Sequence, residues 1–213
     1  MYMPAHFEET RADVLHRLID DCPLGALVTV GPHGLDANHL PFELDASSGP
    51  HGTLRAHVAR ANPVWREAAE RPDALVIFQG PSAYISPNWY PSKHEAHRQV
   101  PTYNYMVVHA HGRITVRDDE RFVRGLVARL TRRMEAGEPA PWKIGDAPED
   151  FIAQMLGAIV GIEIELTRLV GKWKLSQNKD TADRQGALDA LRERGSDAQR
   201  AVSAAMDTAM GNE

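Results

Sequence analysis

Between residues 38 and 105 the chain concentrates residues that could do chemistry. The stretch NHLPF places Pro41 inside a strand pattern, which implies a sheet edge, a bulge or a ladder bond given up for another purpose. In HVARANP a strand runs into a helix start, with Arg60 just ahead of Asn62-Pro63. Free N–H groups at a helix start and an adjacent guanidinium fork suit a phosphate monoester. Arg60 would serve equally well as the partner of a surface carboxylate. Further on, Phe78, Tyr84, Trp89 and Tyr90 fall within 13 residues of a chain that is only 7% aromatic, and Tyr103 and Tyr105 follow. Planar side chains with polar tips line cofactor pockets and interfaces alike. The Pro, Asn, Ser and Lys interleaved with them disfavour a plain aromatic core.

Ten histidines raise the question of a metal. His109 and His111 lie two apart and so share one strand face, and His94 and His97 lie three apart in a polar stretch. No third ligand is fixed by spacing, so hydrogen-bonded barrel or interface histidines are the better expectation, with no metal. Tyr84, Tyr103 and His111 are candidate proton donors without an assigned role. Neither G-x-G-x-x-G nor G-x-x-x-x-G-K-[ST] occurs, and H-E-x-x-H, paired C-x-x-C and G-x-S-x-G are absent too.

The elements that must position these residues read as follows. An apolar stripe of Val14, Leu15, Leu18 and Ile19 predicts a helix over 8–20. Strands are expected at 25–30 and 35–44, joined as a hairpin through Gly31–Gly34, and at 54–59. A short helix over 62–70, with Asn62 as its cap, leads to a buried strand at 74–80 that 82–86 continues. Residues 87–99 read as a long polar loop, 102–116 as the longest strand and 118–134 as an amphipathic helix. A helix at 148–159 and an alternating strand at 161–175 follow, and helices at 181–194 and 196–209 close the chain. Six mostly antiparallel strands with inserted and trailing helices predict an α+β barrel.

Composition bounds the rest. At 213 residues, 43% hydrophobic and 25% charged, the chain is of globular type and long enough for a core without disulfides; Cys22 is the sole cysteine. Without an apolar run of about 20 residues or a basic-then-apolar amino terminus, a cytoplasmic protein with no membrane association is expected. The net charge is −5, whereas DNA-binding domains usually concentrate a basic excess on one face. Arg117 to Arg133 holds six arginines against three acids. Its apolar residues recur at helical spacing, so it reads as a solvated helix face.

Taken in order, MYMPAHF, HLPFEL, LRAHVARANP, FQGPSAYISPNWYPSK, VPTYNY and KWKLSQNK resemble the successive motifs of the PaiB-type FMN-binding family. These are negative transcriptional regulators similar to the pyridoxamine-phosphate-oxidase-like split barrels. The resemblance runs from residue 1 to about residue 180; the last 30 residues share only a helical character. It implies a split-barrel domain over 1–178, a helical extension over 179–213 packed on the barrel or a partner, and a homodimer holding FMN at its interface. Carried over, it puts His39, Leu40, Pro41 and Phe42 along the flavin ring and His57, Val58, Arg60 and Asn62 at the phosphate and ribityl tail. Trp173, Lys174 and Gln177 would complete the pocket from the other subunit. Related oxidases carry two basic residues at the phosphate, whereas ARAN offers Arg60 alone; Lys93 or Lys174 is the candidate for the second. The family implies a regulator. The acidic charge balance makes direct DNA reading doubtful and an indirect action the expectation. A flavin-dependent oxidoreductase, or a haem-binding split barrel, acting on a small planar substrate is the alternative.

Overall fold

In a computed structural model, residues 1–211 of the chain are described. They form β1 (Glu8–Glu9), α1 (Ala12–Asp21), β2 (Leu24–Gly31), β3 (Gly34–Pro41), β4 (Glu43–Asp45), β5 (Thr53–Ala59), α2 (Val64–Glu70) and β6 (Asp73–Ile85). These are followed by α3 (Pro91–Ala96), β7 (Thr102–Arg117), α4 (Glu120–Met134), α5 (Glu149–Gly157), β8 (Ile159–Lys174), α6 (Thr181–Arg194) and α7 (Asp197–Gly211). The strands follow the order β3-β2-β6-β7-β8-β5-β4, and β1 pairs with β8. The registered ladders are antiparallel.

The chain divides into two compact units. A terminal unit holds residues 1–18, 79–108 and 170–213, and a central unit holds 19–78 and 109–169. β6, β7 and β8 each contribute residues to both.

In the central unit the β2–β3 hairpin has the expected place. Its register runs from Leu24 opposite Pro41 to Gly31 opposite Gly34. Gly34 takes a φ of 111°, which a side chain would resist, so the tight turn over Pro32-His33 depends on it. Gly25 lets β2 lie close to its neighbours: a Cβ there would sit 2.8 Å from Phe78 and Val76. Pro41 ends β3: the Phe42 N–H still donates in register to the Pro23 carbonyl at 2.8 Å, but Pro23 has no N–H to return the bond, so the ladder stops there and β4 begins separately. Together with β1, this break makes eight strands where the sequence predicts six. β3 ends the strand order, an edge position, which is one of the three readings that Pro41 leaves open. Leu27, Phe42, Leu54, Val76, Phe78, Leu126, Ile162 and Ile164 are core residues of this unit. α4 starts where the Asp119 carboxylate accepts from the Phe122 N–H at 2.8 Å, and it buries Val123, Leu126 and Leu130.

In the terminal unit, Glu8 and Glu9 pair with Lys172 and Gly171 instead of starting α1. The Glu9 carboxylate accepts from the Arg11 N–H, which places the helix start later than the apolar stripe alone suggests. The segment read as a loop over 87–99 contains a 3₁₀ turn, Pro87–Trp89, and α3. Ser86 caps the turn through its hydroxyl, and Pro87 and Pro91 occupy the first helical positions, where a missing N–H costs nothing. Gly195, at φ 70°, separates α6 from α7.

Candidate functional site

The central unit holds two of the three expected groups of site residues. On β3, His39 and Pro41 are exposed and Leu40 is half-buried. Phe42 is fully buried, with its ring edge-on to Phe78 at 5.6 Å, so it can offer a ligand only its backbone. Among the described residues β3 has β2 as its single ladder partner, which leaves its outer backbone edge unpaired by them.

β5 carries the second group. Val58 points into the core, whereas His57 lies on the opposite face of the strand, half-buried. The His57 Nδ1 is buried with no hydrogen-bond partner among the described residues. Burial also holds the His57 imidazole below its ordinary pKa, which keeps it neutral. An unpaired buried nitrogen costs about 1–3 kcal/mol, so a partner from outside the chain would recover stability. After the strand, the Asn62 Oδ1 accepts from the Val64 N–H at 2.9 Å, and its amide donates to the Asn38 Oδ1 at 2.7 Å. That second bond ties the β5–α2 turn to β3 and brings these two groups together. Asn38 stands in the same NHLPF stretch as His39 yet was not among the expected residues.

Arg60 is already engaged. Its Nη1 and Nη2 donate to the two Asp118 oxygens at 2.8 and 2.6 Å, its Nε donates to the Gly157 carbonyl at 2.8 Å, and Nη2 also reaches the Ile159 carbonyl at 3.1 Å. The bond from Arg60 holds the Asp118 carboxyl below the usual carboxylate range. The Trp65 indole N–H donates to the Arg60 carbonyl at 3.1 Å, which steadies the turn. The carboxylate partner left open by the sequence is therefore present, 58 residues along the chain. A phosphate at Arg60 would have to displace Asp118.

The third group lies in the terminal unit. Trp173 and Gln177 line a cavity of about 580 Å³ together with Arg11 and Arg17. Gln177 donates to the Trp173 carbonyl at 2.6 Å and accepts from the Leu175 N–H at 2.7 Å, holding a turn in which Ser176 has a φ of 67°. The Lys174 Nζ donates to the Thr102 hydroxyl at 2.5 Å and the Tyr103 carbonyl at 2.6 Å. Burial, with Lys172 and Lys179 nearby, pushes its pKa below the ordinary lysine value. Lys93, on α3, makes no side-chain hydrogen bond or ion pair among the described residues.

The histidine pairs stand apart from these groups. In the central unit the His109 and His111 rings lie 6.4 Å apart, and the Arg168 Nη2 reaches the His111 Nε2 at 3.0 Å. In the terminal unit His94 approaches the Asn88 carbonyl. Among the described residues no group of three His, Cys, Asp or Glu side chains could hold a metal ion. No helix among them is long and apolar enough to cross a membrane.

With this geometry in view, comparison with known proteins places the chain. Residues 1–168 match the family described as "Putative FMN-binding domain". The chain is 30% identical to the protease synthase and sporulation protein PAI 2 of Bacillus subtilis, over 90% of this chain and 89% of that one. It is 33% identical to an uncharacterised protein of Aspergillus fumigatus, over 92% and 93% of the two chains. Among solved structures, the FAD- and haem-binding protein of Mycobacterium smegmatis superposes with a TM-score of 0.59 at 18% identity, covering 84% of this chain and 79% of that one. The last likeness bears on the fold, which is α+β, mostly antiparallel and of the flavin-binding split-barrel type. On these matches the chain belongs to the PaiB-type FMN-binding family, with FMN as the cofactor of that family.

Proposed function

We propose that the protein is a homodimer that binds FMN and acts as a regulator without reading DNA directly. In this reading His39, Leu40, Pro41 and the backbone of Phe42 lie along the ring, and His57, Val58, Arg60 and Asn62 surround the tail. Trp173, Lys174 and Gln177 of the partner subunit close the pocket. The observation that carries it is the unpartnered His57 Nδ1 on the strand that adjoins β3, where exposed residues and an unpaired edge await a ligand. Bound FMN supplies hydride and electron transfer. The chain's own residues hold and orient it. For the second charge at the phosphate Lys93 and Lys174 are the candidates; Lys174 is engaged by Thr102 and Tyr103, and Lys93 makes no side-chain hydrogen bond or ion pair among the described residues.

Indirect regulation is favoured by how the arginines of 117–133 are used. Arg117 pairs with Glu163, Arg124 with Glu120, Arg129 with Glu43 and Arg133 with Asp20. With four of the six paired, only Arg121 and Arg132 are left without a carboxylate partner among the described residues, and the whole chain is acidic. The test combines three measurements on purified protein. FMN should be retained through gel filtration and released on denaturation, sedimentation should give twice the chain mass, and DNA should not shift at low salt. A colourless protein without FMN affinity refutes the cofactor assignment, and a monomer refutes the shared pocket. Sustained NAD(P)H consumption with a screened acceptor would reassign the protein as an oxidoreductase.

A further inference from the structure

The geometry points to a second ligand site, in the central unit between α4 and the 138–146 segment, for a small planar aromatic acid. A cavity of about 370 Å³ opens there, within the range usual for small-molecule pockets. One part of its lining is apolar: Ala128 leaves the space, Pro141 and Ile144 flank it, and Trp142, 42% exposed, adds its indole. A tryptophan this exposed offers a flat apolar face on which a ring can stack.

The wall is held in place. The Trp142 N–H donates to the Glu135 carboxylate at 2.9 Å, and the Lys143 N–H to the Asp146 carboxylate at 2.9 Å. Ile144 packs on the cluster of Val123, Ile152 and Leu156.

Charge selects the ligand. Arg132 and Lys143 line the cavity, and neither side chain has a carboxylate partner among the described residues, unlike Arg124, Arg129 and Arg133 of the same helix. Glu135 also lines it, but one of its oxygens is occupied by the Trp142 backbone N–H, and the lining carries two cations to this single carboxylate. An aromatic ring stacked on Trp142 with a carboxylate between Arg132 and Lys143 satisfies both features. A bare inorganic anion would leave the apolar walls unused, and a neutral ring would leave the cations unused.

The probe is 2-naphthoate, titrated calorimetrically into the FMN-loaded protein, with 2-naphthalenemethanol as the neutral control. Saturable binding of the naphthoate is expected, about tenfold or more tighter than the alcohol, as one charge-assisted contact would give. Arg132→Gln with Lys143→Gln should remove that preference, Trp142→Ala should weaken binding about tenfold or more, and Trp142→Phe should retain most of it. All these variants should keep their FMN. Absence of saturable binding, equal affinity for acid and alcohol, indifference to the substitutions, or release of FMN by naphthoate would each overturn the assignment. The site does not rest on FMN binding, because the same titration applies unchanged to protein without the flavin.

Discussion

Asp183 is a buried carboxylate that fastens the aromatic segment 86–99 to α6, and replacing it by Ala should free that segment. Asp183 is 1% exposed. It accepts from the Ser92 N–H at 3.0 Å, the Ser92 hydroxyl at 2.6 Å and the Gln99 amide at 2.9 Å. The Gln99 carbonyl in turn accepts from the Lys179 Nζ at 2.5 Å, and that ammonium lies 5.2 Å from the Tyr90 ring centroid. Hydrogen bonds to a charged group contribute about 1.5–3 kcal/mol each. Three on one carboxylate are not additive, and the alanine would strand the Ser92 N–H and the Gln99 amide. The expected loss is about 3–4 kcal/mol, or roughly 10 °C in Tm for a chain of this length. Asp183→Asn should lose about half of this, because an amide oxygen can still accept while the amide nitrogen opposes donors. Thermal unfolding gives the stability, and hydrogen exchange of the 87–99 amides gives the location. A Tm unchanged within about 2 °C, equivalent to less than about 1 kcal/mol, together with an unaltered Ser92 amide, would refute the reasoning.

Other outcomes follow from the same kind of geometry. A side chain at Gly186 would collide with the Trp89 carbonyl, so Gly186→Ala should destabilise the protein by about 1–3 kcal/mol, with new proteolytic cleavage near Trp89 as the readout. If the phosphate competes with Asp118 for Arg60, Asp118→Asn should tighten FMN binding while Arg60→Ala weakens it; equal affinities in a flavin titration would remove Arg60 from the site. Burial holds His57, His109 and His111 below the ordinary 6.5. The unfolded chain therefore takes up protons before the native one does, so this stability is complete above about pH 6.5 and drains away as the pH falls below it. His57→Gln should flatten the acid side of a urea-unfolding series, and a wild-type midpoint constant from about pH 7 to pH 5 would count against buried neutral histidines.

The sequence by itself determined the elements, because their signals are local. Alternation in 161–175, the Asn62 side chain that receives the Val64 N–H ahead of α2, the glycine turn after Gly31 and the helix break at Gly195 all act within a few residues. The six ordered motifs likewise carried the family and its cofactor. Pro41 left an edge, a bulge and a given-up ladder bond open, and β3 lies at the end of the strand order; the ladder stops beyond Phe42 because Pro23, opposite it across the hairpin, has no N–H to return. The partners of the site residues were beyond local reading. Arg60 could have faced a phosphate or a carboxylate until the fold set Asp118 against it. α6 hid its role in the same way. Its buried side mixes Asp183 and Arg184 with Ala187, Leu188 and Leu191, so no clean apolar stripe marks it. Ser92 and Gln99, 91 and 84 residues earlier, explain why a carboxylate is buried there. Periodicity reports which residues turn away from water; which groups then meet is settled by packing between distant segments, and that is where Arg60, His57 and Asp183 acquired their surroundings.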